Sequence, residues 1–219
     1  MPTVQTLLTF FGVAVLLGLS PGPDNLFVLL QSAQRGWRMG IAVVVGLCIG
    51  IIGHTTAVAL GLAAVFAASE IAFDALKWCG AAYLAYLAWG AWRAPAGVQG
   101  SGDEEQQPAA PAQDAPAPGF ARMVMRGVVM NLTNPKVLIF FLAFLPQFTN
   151  PALGPVAAQI FVFGAVFIVA TFLVFGAIAV FSGVFGNLLL RSARGRRWLN
   201  RITAVVFVGL AVKLATSQR

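Results

Sequence analysis

The chain has 219 residues, 59% of them hydrophobic and only 10% charged, with a mean hydropathy of +0.85. A soluble domain carries about 25% charged residues, so a soluble globular protein is excluded. The net charge of +7 does not mark a nucleic-acid binder, because the basic residues lie between apolar runs, as the flanks of membrane helices do.

Charge-free runs cover 1–23, 39–69, 78–92, 137–190 and 202–212. A hydrocarbon core of about 30 Å needs about 20 apolar residues as helix. The two shorter runs are extended by Lys77, Arg93 and Lys213, which can snorkel to the interfaces. The expected protein is therefore all-α and polytopic, with six helices over about 4–34, 40–67, 71–92, 123–148, 155–185 and 198–215.

The first helix has no basic start of the kind a signal peptide needs and is expected to be retained. Its apolar course is interrupted by "GLSPGPDNLFVLL", where Pro21, Gly22, Pro23, Asp24 and Asn25 stand together. The second helix carries Gly46-x-x-x-Gly50 and Gly53, a pattern for close helix packing. It also carries His54, the one histidine, expected to pack or hydrogen-bond with Thr55 or Thr56. Cys48 and Cys79 lie in the second and third apolar segments and give neither a disulfide framework nor a CxxC metal pair. On the third helix Tyr83, Tyr86, Trp89 and Trp92 form part of an interfacial belt. Tyr83 is the deepest of them and the one that can face a substrate. Residues 94–119, rich in Pro, Ala and Gly and acidic in the middle, read as a flexible linker. That linker divides the chain into a first three-helix half, 1–93, and a second, 120–219. The fourth helix repeats the interruption of the first, with Asn134, Pro135 and Lys136 in "NLTNPKVLIFF". The fifth apolar run continues past one span, and an interfacial turn of helix is expected within 181–197.

Arginines set the orientation. Arg35 and Arg38 lie between helices one and two, Arg93, Arg122 and Arg126 flank the linker, and Arg191, Arg194, Arg196, Arg197 and Arg201 crowd the fifth connection. The second connection has Glu70, Asp74 and one Lys77, and the fourth has no charge. The positive-inside rule puts connections one, three and five in the cytoplasm and both termini outside.

Three helices per half make the halves inverted relative to each other. Broken segments at matching places in inverted halves point to a transporter's binding site. Asp24 precedes Arg35 by 11 residues and Lys136 follows Arg126 by 10. At about 1.5 Å per residue both lie roughly 15 Å from the inner face, near the bilayer middle. Proline removes an amide donor and frees a carbonyl, which lipid tolerates only where protein or water satisfies it. An amino acid's carboxylate suits Lys136 or half-helix amides, and its ammonium suits Asp24 or free carbonyls. A lone carboxylate is costly to keep ionised in low dielectric, which makes Asp24 the first candidate for a proton-linked group.

The segments "SPGPDN" (20–25), "RGWRMGIAVVVGLCIG" (35–50), "GAAYLAYLAW" (80–89) and "NLTNPKVLIFFLAFLPQF" (131–148) resemble the lysine-exporter (LysE) family, and most of all its homoserine/threonine-efflux (RhtB) branch. The resemblance spans nearly the whole chain outside the linker. It implies a bacterial inner-membrane exporter of amino acids driven by the proton gradient, with Pro21, Gly22, Pro23, Asp24, Asn134, Pro135 and Lys136 as motif positions. The expected function is amino-acid efflux by proton antiport, with a small amino acid, protons and the lipid bilayer as partners. No enzyme activity, cofactor or metal is expected, and a homo-oligomer is left open. A divalent-cation exporter of related architecture is the alternative. It would want clustered carboxylates, His or Cys among the membrane helices, which the apolar segments lack.

Overall fold

The structure, a computed structural model, describes residues 1–20, 22–68, 70–93, 119–182 and 193–216. Pro21, nearly all of the expected linker (94–118) and most of the expected interfacial turn (183–192) lie outside the described residues. The elements in chain order are α1 (Val4–Leu19), α2 (Pro23–Arg35), α3 (Trp37–Ala68), α4 (Glu70–Arg93), α5 (Phe120–Thr133), α6 (Pro135–Ile139), α7 (Val156–Val180) and α8 (Ala193–Thr216). Between α6 and α7 the chain passes through a π-helical turn (Phe140–Phe144) and two 3₁₀ turns (Leu145–Phe148, Pro151–Leu153).

Local chemistry explains the ends. Thr3 caps α1 through its hydroxyl, 3.2 Å from the Thr6 amide. A helix continuing past Leu19 would need amide donors from residues 21 and 23 for the carbonyls of Leu17 and Leu19, and both are proline. The chain restarts with Pro23 at the first position of α2, where a missing N–H is harmless. It stops at Gly36, whose φ of +86° suits glycine best. In the same way α5 ends before Pro135, which opens α6 behind the Asn134 cap. The α1–α2 pair bends by 64° and α5 through Phe148 by 53°.

α3 is the central post. It packs along α5 and α7 and also receives α2, while α4 pairs with α8 and α1 lies on α7. Close approach depends on glycines. A Cβ on Gly46 would sit 2.1 Å from the Val124 carbonyl oxygen, and one on Gly127 would sit 2.3 Å from that of Val43. The packing pattern expected for Gly46 and Gly50 is thus what α3 uses against α5. Two apolar clusters fill the interior. One is phenylalanine-rich, around Phe10, Phe140, Phe144, Phe148, Phe163 and Phe167, and the other surrounds Val28, Val43, Leu47 and Ile178.

α3 over Trp37–Gly61 and α7 over Val156–Val180 are each long and apolar enough to cross a membrane. Each bent pair also qualifies if it counts as one span, which makes up to four among the described residues. α8 carries the shorter apolar stretch Asn200–Val212. Three boundaries differ most from expectation, one being the start of α8 at Ala193 rather than near Trp198. The fourth helix does not run as regular α-helix to Phe148 but widens into a π turn after Ile139 and then tightens into 3₁₀. α7 ends at Val180 rather than near Phe185.

Candidate functional site at the two helix breaks

The breaks meet. Gly22 and Asn134 precede the N-termini of α2 and α6, so two half-helix starts converge with Asp24 and Lys136 in their first turns. Asp24 is only 3% exposed, and its Oδ2 accepts a hydrogen bond from Asn134 Nδ2 at 2.7 Å. Asn134 Oδ1 in turn accepts from the Lys136 amide at 3.0 Å, so one side chain caps α6 and holds the carboxylate of α2.

The Lys136 ammonium donates to the carbonyls of Leu17 (3.3 Å) and Ser20 (3.2 Å) at the C-terminal end of α1. A cation at the N-terminus of its own helix is poorly placed, but at the C-terminus of another it meets the negative end of a dipole. It also satisfies the Leu17 carbonyl that Pro21 has no N–H to bond. Gly22 leaves the room: a Cβ there would lie 3.1 Å from Lys136 Nζ. Asn25 closes the same break by donating from Nδ2 to the Gly18 carbonyl at 2.7 Å.

The second break is treated alike. Pro135 cannot bond the Asn131 carbonyl, and His54 Nε2 lies 3.1 Å from that oxygen. His54 is therefore hydrogen-bonded as expected, but across the halves rather than to Thr55 or Thr56. Those hydroxyls bond back to the Ile51 and Ile52 carbonyls of their own helix.

Between the breaks lies a cavity bounded by Asp24, Lys136, Asn131 and Thr171, with Phe167 and Phe175 as apolar walls. It leaves about 20 Å³ for the centre of a water-sized molecule. That is room for about one water and too little for an amino acid, so the site is closed in this conformation. Asp24 Oδ1 and Asn131 Oδ1 are buried without a hydrogen-bond partner among the described residues. Unpaired buried acceptors are costly and mark places where a ligand or water is wanted. No group of three or more His, Cys, Asp or Glu suited to a metal ion occurs among the described residues.

Of the residues singled out in sequence, Gly22, Pro23, Asp24, Asn25, Asn134, Pro135 and Lys136 converge here. Tyr83 does not line the cavity: it lies half-buried on α4 with its ring 6.1 Å from that of Tyr86. Asp24 and Lys136 share the cavity, but each makes its hydrogen bonds elsewhere. Asn131 and Thr171 escaped the sequence analysis. Asn131 was visible as a polar residue one turn before the second break, whereas Thr171 carries no such signal in its apolar helix.

The model of the family described as "LysE type translocator" matches residues 15–218. The chain belongs to that family. Its relatives include the homoserine/homoserine lactone efflux protein of Salmonella typhimurium, 34% identical over 161 residues covering 74% of this chain and 72% of the relative. Uncharacterized membrane proteins of Pseudomonas aeruginosa (32% identical, 99% of each chain) and Vibrio cholerae (28% identical, 98% of each chain) align over nearly full length. No solved structure matches. Family members are transporters, and amino-acid export with insertion in a membrane is the function the family supports.

Proposed function

We propose that the protein exports a small amino acid such as homoserine across the bacterial inner membrane in exchange for protons. The chain would cross the membrane six times as two inverted three-helix halves, 1–93 and 120–219, with 94–119 as cytoplasmic linker and both termini outside. What carries this reading is the meeting of both helix breaks at one closed cavity, with a carboxylate and an ammonium in its wall. Asp24 would bind the substrate ammonium or a proton, but not both at once, which is the competition antiport requires. Lys136 would release its α1 carbonyls to take the substrate carboxylate. Pro21, Pro23 and Pro135 keep the backbone groups at the breaks available, and Gly22 and Asn25 shape the first break.

The test is efflux from cells expressing the chain, preloaded with a panel of labelled amino acids including homoserine. Asp24→Asn should abolish efflux driven by a pH gradient while the protein still reaches the membrane. A mutant with wild-type rate and unchanged pH dependence would remove Asp24 from the coupling.

A further inference from the structure

Asp24 begins a stripe. On α2, Asp24, Val28, Gln31 and Arg35 recur at steps of four, three and four, which keeps them within about 60° of one face. That face is turned inward: Asp24 is 3%, Val28 0% and Gln31 7% exposed. Three of the four are polar, and each has a buried atom with no hydrogen-bond partner among the described residues: Asp24 Oδ1, Gln31 Oε1 and Arg35 Nη1. One unpaired group is an oddity. Three at successive levels of one helix trace a line, from the cavity to the arginine that ends the helix about 16 Å away. A helix serving only packing would place apolar residues on that face, as α2 does at Val28.

The line is shut. Val28 and Leu29 join Ala42, Val43, Leu47 and Ile178 in an apolar cluster. A Cβ on Gly40 would meet Ser32 Oγ at 1.8 Å and Ala179 Cβ at 2.9 Å, so α2, α3 and α7 pack tightly there. Yet α2 is a 13-residue rod with a glycine at each end, Gly22 at the break and Gly36 at φ +86°. Rotation at those two joints would carry the rod away from α3 and α7 without unfolding it.

We infer that this stripe is the substrate's inlet from the cytoplasm: Arg35 receives the carboxylate at the mouth, Gln31 carries it past the Val28 constriction, and α2 is the gate. The inference rests on the exporter reading above for the direction of travel.

The experiment places Gln31→Cys in a chain whose Cys48 and Cys79 are replaced by serine, in inside-out membrane vesicles. A charged, impermeant methanethiosulfonate should modify it, and saturating homoserine should slow the reaction. Leu26→Cys, on the outward face of α2 (44% exposed), should stay unmodified. Val28→Cys, one turn deeper, serves as a second site if Gln31→Cys fails to insert. Absence of modification at both sites, or modification only from the outer face in right-side-out vesicles, overturns the inlet. Arg35→Gln should raise the KM for homoserine at the cytoplasmic face by about tenfold with maximal rate within about twofold, and Arg35→Lys should recover most of that. A fall in maximal rate without change in KM would mean that Arg35 is not a receiving group. Wild-type homoserine transport in the same vesicles separates the two claims. Modification without transport of any labelled amino acid of the panel upholds the cytoplasmic passage and refutes the exporter, whereas transport without modification does the reverse.

Discussion

Replacing Asn134 by alanine removes two bonds with one cut. Its Oδ1 caps α6 at 3.0 Å from the Lys136 amide, and its Nδ2 reaches Asp24 Oδ2 at 2.7 Å. Loss of an N-cap costs about 1 kcal/mol. Loss of a hydrogen bond to a charged group costs about 1.5–3 kcal/mol. Interhelical hydrogen bonds in membranes average nearer 0.6 kcal/mol, because the unfolded chain in lipid finds other partners. Asn134→Ala should therefore lower stability by roughly 2–3 kcal/mol, between those limits. Asn134→Ser keeps a capping oxygen and should recover about 1 kcal/mol of it. The second bond is isolated by a cycle with Asp24→Ala, which removes the acceptor: alanine at 134 should cost less in that background, by about 0.5–3 kcal/mol, as for residues in contact. Thermal unfolding in detergent is the assay. Serine behaving like alanine would refute the cap, and additive losses in the cycle would refute the Asp24 contact.

Two further outcomes follow from packing and orientation. Gly127→Val should prevent stable folding, because its Cβ would fall 2.3 Å from the Val43 carbonyl oxygen where α3 and α5 cross, whereas Gly12→Val, with nothing within 4 Å, should be neutral; detergent-solubilised yield measures both. In a background without Cys48 and Cys79, a cysteine at Ser101 should resist impermeant thiol reagents in intact cells and one at exposed Ala152 should react, and reversed labelling would overturn the orientation drawn from the arginines.

Much of the fold could be read from the sequence because lipid leaves a chain few options. Apolar runs must be helical, and prolines inside them must break the hydrogen-bond ladder. The interruptions expected at Pro21–Asn25 and Asn134–Lys136 are therefore where α1 gives way to α2 and α5 to α6. Ends without such punctuation were read less well. The π and 3₁₀ turns after Ile139 lie where eight buried phenylalanines share one core, a packing constraint no local pattern shows. The charged part of the site was equally legible, since intramembrane charge is expensive and therefore conspicuous. Its uncharged part was not. Thr171 sits in "IVATFLVF", apolar on every side, so periodicity cannot say which face turns inward. The partner of His54 depended on how α3 crosses α5, and the backbone bonds of Thr55 and Thr56 had already removed the nearer choices.

The bonds from Lys136 to Leu17 and Ser20 span 119 and 116 positions of sequence. During synthesis the first break emerges long before the lysine that completes it. At about 5–20 residues per second, the Leu17 carbonyl waits roughly 6–24 s for its donor. Through that interval α1 and α2 are in or near the bilayer with an unfinished bend. Water, the insertion machinery or a neighbouring chain must hold those carbonyls meanwhile, so the nascent first half is the stage of this protein's life most exposed to quality control.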